Sequence, residues 1–174
     1  MLEERTGVFA AGDNKLTLLG PEIKVGDKAP GFTVSGAGLK QVSLADSAGK
    51  VRIIASVPSL DTGVCSEETQ KFNELASSLP DDVIILTVSM DLPFAQARWC
   101  GAHEVDKVET VSDFKSREFG DSYGVHVKEN GLLARAVFVV GKDDIVKHVE
   151  YVPLIAQLPD FNAALDAARA ASGS

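Results

Sequence analysis

The sequence predicts an α/β protein: a central mixed sheet flanked by helices, with an N-terminal β-hairpin extension. Three observations carry that prediction. The runs "VRIIASV" (51–57) and "DVIILTVSM" (82–90) are continuously apolar and β-branched, as strands buried on both faces are. Segments with helical periodicity follow each of them. Near the end, "ARAVFVV", the turn "GKDD" and "IVKHVEYV" read as an antiparallel pair ahead of a last amphipathic helix. Strands alternating with helices place helices on both faces of one sheet.

Taken in order, "TGVFAA", the turn "GDN" and "KLTLLG" form the opening hairpin. The loop "PEIKVGDKAPGF" is broken by two prolines and Gly26. "FTVSG" and "QVSLAD" read as short strands around "AGLK". After the first buried strand, "CSEETQKFNELASSL" is a helix, with Phe72, Leu75, Ala76 and Leu79 spaced i, i+3, i+4, i+7 and Pro80 ending it. After the second, "DLPFAQARWCGAHE" is a helix with Asp91 as cap, Pro93 near its first position and Gly101 as stop. "KVETVSD" reads as a strand, "SREFGDSYG" as a short helix or turn, and "LPDFNAALDAARAA" as the final helix, starting at Asp160.

At 174 residues the chain reads as one domain. Such a chain buries roughly 70% of the surface exposed by its unfolded form. No apolar run approaches the roughly 20 residues of a membrane span. The N-terminus has mixed charge and no apolar core segment, so it does not read as a secretory signal. The expected location is the cytoplasm, where thiols stay reduced unless they cycle. A net charge of −8 argues against nucleic acid and anionic membranes as partners.

Chemistry concentrates at "SVPSLDTGVCSEET". Asp61 and Thr62 are good helix N-caps, and Cys65 then falls in the first helical turn. Unpaired N–H groups and about half a positive charge stabilise a thiolate there, by at most about 2 kcal/mol. Asp61, Glu67 and Glu68 oppose it, so a reactive Cys65 requires a cation from a distant segment. Arg135, set among apolar residues at the start of a strand, is the leading candidate; Arg98 and Arg52 are rivals. Arg52 otherwise reads as a snorkelling surface residue. Thr62 reads equally as a plain cap, and Pro58 as the end of a strand or a shield for the thiol.

Cys100 is the second of two cysteines and reads by itself as a buried, inert thiol. Trp99 beside it is a packing residue and a fluorescence reporter. His103, His126 and His148 have no zinc spacing and read as surface or loop residues. Neither a Cys-x-x-Cys pair, a phosphate loop nor a nucleophile elbow is present.

The stretch "PSLDTGVC" has the form Pro-x-x-x-Thr-x-x-Cys at Pro58, Thr62 and Cys65, and resembles the peroxiredoxin motif. "VGDKAPGFTV", "SVPSLDTGVCSEETQKFNE", "DLPFAQARWCGA", "ARAVFVV" and the opening hairpin are similar to the bacterial thiol peroxidase branch of that family. The likeness runs over nearly the whole chain. It implies a thioredoxin-like fold in a single domain over residues 1–174. It implies that Cys65 is the peroxidatic cysteine, oxidised to a sulfenic acid by hydrogen peroxide or organic hydroperoxides. Thr62 then bonds sulfur and peroxide, Arg135 stabilises the thiolate and polarises the O–O bond, and Pro58 shields the site. Cys100 becomes the resolving cysteine, closing a Cys65–Cys100 disulfide that thioredoxin reduces. Homodimers and a role in antioxidant defence and redox homeostasis are also implied.

The residues agree with such roles. Peroxide cleavage needs a thiolate nucleophile and hydrogen-bond donors where charge grows on the leaving oxygen. No metal or organic cofactor is required, because sulfur carries the redox change. Reduced, the two sulfurs are expected to stand apart on their own helices. A disulfide needs Cα atoms within about 7 Å. The first turn after Thr62 and the segment "RWCG" are therefore expected to unwind on oxidation. Two other readings stand beside this one: a slowly cycling redox sensor, and a non-catalytic interaction domain.

Overall fold

A computed structural model describes Met1–Gly173. The chain opens with β1 (Glu4–Ala11) and β2 (Asn14–Leu19), paired antiparallel. Their turn uses Gly12 at a φ of 62°, a region that suits glycine. A two-residue strand later in the chain, β8 (His126–Val127), pairs with β2 and completes a three-stranded sheet. The sequence pattern has no signal for it, because two residues are too short to show a period.

The second sheet has seven strands: β3 (Thr33–Ser35), β4 (Gln41–Ser43), β5 (Val51–Ser56), β6 (Val83–Ser89), β7 (Glu109–Ser112), β9 (Ala136–Val140) and β10 (Val146–Tyr151). Their order across the sheet is β10-β9-β5-β6-β7-β3-β4. β5, β6 and β7 run parallel. β9 is antiparallel to β5, and β10 to β9. The sheet is therefore mixed, with β6 at its centre, β5 beside it, and β9 between β5 and the edge strand β10.

Both faces are covered, which is why the central strands are apolar throughout. Ile54 of β5 and Ala136, Phe138 and Val140 of β9 face one cluster, with Phe9, Leu18, Phe119 and Tyr123. Val51, Ile53 and Ala55 of β5 and Val137 and Val139 of β9 face the other, with Cys65, Phe72, Trp99, Ala164, Leu165 and Ala168. Phe9 and Leu18 come from β1 and β2; the other partners come from the four α-helices among the described residues, α1 (Gly63–Leu75), α2 (Pro93–His103), α3 (Glu118–Ser122, with Tyr123 just after it) and α4 (Phe161–Ser172). Asp160 caps α4 as expected, accepting from the Ala163 N–H at 3.0 Å.

Five details differ from the sequence reading. The α-helical part of α1 stops at Leu75, and Ala76–Ser78 continue as a 3₁₀ turn. α2 runs through Gly101 and ends at Glu104, which takes the left-handed conformation. Leu92, not Asp91, occupies its N-cap, with no side-chain cap bond. Arg52 is fully buried on β5 instead of snorkelling. It donates to the carbonyls of Lys50 and Gly141 and pairs with Asp144 at 2.5 Å. A buried guanidinium is tolerated when carbonyls and a carboxylate satisfy its donors. His126, by sequence a surface or loop residue, is buried on β8 and lies 2.7 Å from Asp121.

Candidate active site

The first parallel strand, β5, delivers the chain to a loop at the sheet's C-terminal edge. Val57 still bonds the sheet, its N–H donating to the Val88 carbonyl at 3.0 Å. Pro58 follows, buried, and ends the strand. The chain turns over Ser59–Thr62 and enters α1 at Gly63. Cys65 is the third residue of that helix, so its backbone N–H is among those left free at a helix start. Its side chain is fully buried.

Thr62 has the extended backbone of an N-cap, yet its side chain caps nothing. Its hydroxyl donates to the Ser59 carbonyl at 2.8 Å. Among the described residues it makes no hydrogen bond to the Cys65 sulfur. Thr62 is exposed at the lip of the site. An open cleft of about 280 Å³ runs along this lip, lined by residues including Thr62, Gly63, Ser66, Trp99 and His103. A second cleft of about 510 Å³ adjoins it at Gly63 and Ser66 and follows the outer face of α1 to Leu158 and Phe161.

The cation comes from the residue that leads into β9. Arg135 immediately precedes β9, and β9 lies beside β5, so Arg135 projects beneath the start of α1. Its Nη2 donates to Cys65 Sγ at 3.4 Å and to the Ile155 carbonyl at 2.7 Å. Its Nη1 donates to Glu68 Oε2 at 2.6 Å. Arg135 is 1% exposed and Glu68 wholly buried. The rival arginines are elsewhere: Arg52 pairs with Asp144, and Arg98 with Asp61 at the surface.

By sequence Glu68 is a charge that opposes a thiolate. The structure makes it the anchor of Arg135. Burial raises its carboxyl to about 7, and the Arg135 charge works in the other direction. Arg135 Nε and Glu68 Oε1 have no hydrogen-bond partner among the described residues, so the pair depends on its single short contact. A signal for this role was present. Cys65, Glu68, Thr69 and Phe72 are the buried residues of α1, and they are spaced i, i+3, i+4, i+7. Extending the apolar stripe of Phe72 back toward Cys65 places Glu68 on the inner face.

Cys100 lies in the last turns of α2, half-buried, with its sulfur 3.4 Å from Thr110 Oγ1 on β7. Both cysteines are free thiols. Trp99 is buried and stacks on His103, with ring centroids 4.5 Å apart. His103 Nδ1 lies 2.9 Å from the Trp99 carbonyl, so that nitrogen carries a proton. Among the described residues no group of histidine, cysteine and carboxylate could hold a metal ion. Among the described residues no helix is long and apolar enough to cross a membrane.

A mixed sheet between helix layers thus holds a buried cysteine in the first turn of a helix with a buried arginine on its sulfur, an arrangement that favours a reactive thiolate. The Redoxin family profile matches residues 24–165. The thiol peroxidase of Halalkalibacterium halodurans is 54% identical over 158 residues, covering 91% of this chain and 95% of that protein. The thiol peroxidase of Bacillus subtilis is 52% identical over 155 residues, covering 89% and 92%. Among solved structures, a peroxiredoxin-like protein from Aquifex aeolicus superposes with a TM-score of 0.89 at 39% identity, over 97% of this chain and 98% of that one. A thiol peroxidase from Chromobacterium violaceum shares the fold, with a TM-score of 0.83 at 21% identity over 89% and 91% of the two chains. The chain belongs to the Redoxin family and, within it, to the thiol peroxidase branch of the peroxiredoxins.

Proposed function

We propose that the chain, acting as one thioredoxin-like domain, reduces hydrogen peroxide and organic hydroperoxides through Cys65 and is recycled by thioredoxin. The observation that carries this reading is the 3.4 Å contact from Arg135 Nη2 to the Cys65 sulfur, inside a buried site at a helix N-terminus.

The Cys65 thiolate attacks the terminal oxygen of the hydroperoxide. An S–O bond forms, the O–O bond breaks, and the leaving oxygen departs as an alcohol or water after taking a proton. Arg135, next to the sulfur, supplies positive charge where negative charge moves from sulfur to oxygen. Thr62 stands at the lip, and rotation of its side chain brings the hydroxyl from the Ser59 carbonyl toward the entering peroxide. Pro58 closes the wall behind the sulfur. Cys65 is left as a sulfenic acid.

Cys100 then attacks the sulfenic sulfur. The S–S bond forms, the S–O bond breaks, and the hydroxyl leaves as water with the Cys100 proton. Thioredoxin returns both thiols, each turnover consuming one dithiol. The acidic chain, with no basic footprint, suits a cytoplasmic antioxidant role, and a homodimer is the expected assembly.

The decisive measurement is the rate at which reduced protein reacts with hydrogen peroxide, followed by Trp99 fluorescence, and then consumption of thioredoxin in steady state. A rate orders of magnitude above that of a free thiol, with sustained turnover, supports the peroxidase. The rate of an ordinary cysteine removes it. A fast first oxidation without turnover favours a redox sensor on the same fold.

A further inference from the structure

Asp91 lies between β6 and α2 and caps neither. Its carboxylate collects three donors instead. Oδ1 accepts from Ser59 Oγ at 2.7 Å. Oδ2 accepts from the Leu60 N–H at 2.8 Å and from Ser89 Oγ at 2.7 Å. Ser89, buried at the end of β6, in turn accepts from Gln96 Nε2 at 3.0 Å. Gln96 is 2% exposed, and its second amide proton goes to the Val111 carbonyl at 2.8 Å.

The two ends of this chain of bonds matter. Ser59 and Leu60 belong to the loop between Pro58 and Thr62. Gln96 belongs to α2, one helical turn before Cys100 and on the same side of the helix. One carboxylate thus fastens the loop beside the buried thiol to the helix that carries the second thiol. Hydrogen bonds to an ionised acceptor are roughly twice as strong as neutral ones. The Arg98–Asp61 pair joins the same two segments at the surface, where it contributes little.

We propose that Asp91 is a positioning residue with opposite effects on the two half-reactions. It holds loop Ser59–Thr62 in the form that receives peroxide, and it resists the parting of loop and α2 that lets Cys100 reach Cys65. The inference rests on the roles assigned to the two cysteines above. The step it resists is the one in which the Cys100 sulfur displaces water from the Cys65 sulfenic acid, and this step brings the Cα atoms within about 7 Å.

The test is stopped-flow oxidation of Asp91→Ala, Asp91→Asn and Ser89→Ala by hydrogen peroxide, read by Trp99 fluorescence, with mass spectrometry for the disulfide. Asp91→Asn keeps the side-chain shape and one accepting oxygen, and circular dichroism checks that each variant folds. For Asp91→Ala the peroxide-dependent phase should slow about tenfold, and the peroxide-independent phase should quicken about tenfold. Asp91→Asn and Ser89→Ala should move both phases the same ways by less. Two unchanged phases overturn the proposal. So does a common slowing of both, which a general loss of packing would produce. Failure of the underlying reading is distinct: the wild type itself would then form no Cys65–Cys100 disulfide.

Discussion

The guanidinium of Arg135 stands 3.4 Å from the sulfur of Cys65, although 70 residues separate them in the chain. The same guanidinium holds buried Glu68 at 2.6 Å. An arginine can serve both because its donors lie in a fixed planar fork.

Removing that fork should cost the first oxidation most. Arg135→Ala is expected to lower the second-order rate constant with hydrogen peroxide by about 10²-fold or more, the usual loss for one donor at a site of developing charge. Arg135→Lys should recover part of it, since an ammonium keeps the charge but cannot bond Glu68 and sulfur in one plane. Stopped-flow Trp99 fluorescence measures both. A rate within a few-fold of wild type in Arg135→Ala would remove Arg135 from the chemistry.

The two thiols should separate cleanly by mutation. Cys65→Ser is expected to abolish peroxide reduction. Cys100→Ser should keep the first oxidation and lose thioredoxin-driven turnover, with the sulfenic acid trapped by dimedone. Normal cycling in that variant would exclude Cys100 from the mechanism.

Glu68 carries a pH signature in stability. Burial raises its carboxyl from 4.5 to about 7 in the folded chain. The folded state therefore binds the extra proton between those values, and stability falls as pH rises through that window. The contribution is present in full below about 4.5 and is lost above about 7. Asp113 is likewise raised, to about 6, by burial, so its effect has the same sign. Comparing urea unfolding of wild type and Glu68→Gln from pH 4.5 to 7 isolates Glu68. The variant should show the flatter profile; identical slopes would mean that Glu68 titrates normally.

The disulfide form should differ locally. Amide hydrogen exchange is expected to quicken in the first turn of α1 and in the last turns of α2 after oxidation, with β5, β6 and β9 unchanged. Equal protection around Cys65 and Cys100 in both forms would rule out local unwinding as the route to the bond.

Much of the architecture was legible in the chain. The β-branched runs became β5, β6 and β9, and the helical periods became α1 and α4, because each pattern reports on neighbours a few residues away. Errors fell where a side chain's role depends on distant partners. Asp91 beside Pro93 has the local signature of a cap, but Ser59, Leu60 and Ser89 converge on it from the other side. Arg52 looks like a surface cation at the start of a strand, but the carbonyls of Lys50 and Gly141 and the carboxylate of Asp144 surround it. Gly101 reads as a stop, yet α2 continues past it to His103, and Glu104 caps it.

By itself, then, the sequence determined how the segment around Cys65 is laid out: Pro58 after a buried strand, Thr62 before a helix, Cys65 in its first turn. Backbone periodicity and helix-end chemistry act over a few residues, so they are readable in order. Which charges meet at the sulfur was decided by the tertiary structure. The strand order β9-β5-β6 sets Arg135 beneath α1, and burial of the face shared by Cys65 and Phe72 turns Glu68 inward to hold it. An ion pair this deeply buried exists only where packing excludes water and brings both partners together, and neither condition is written in any single stretch of the chain.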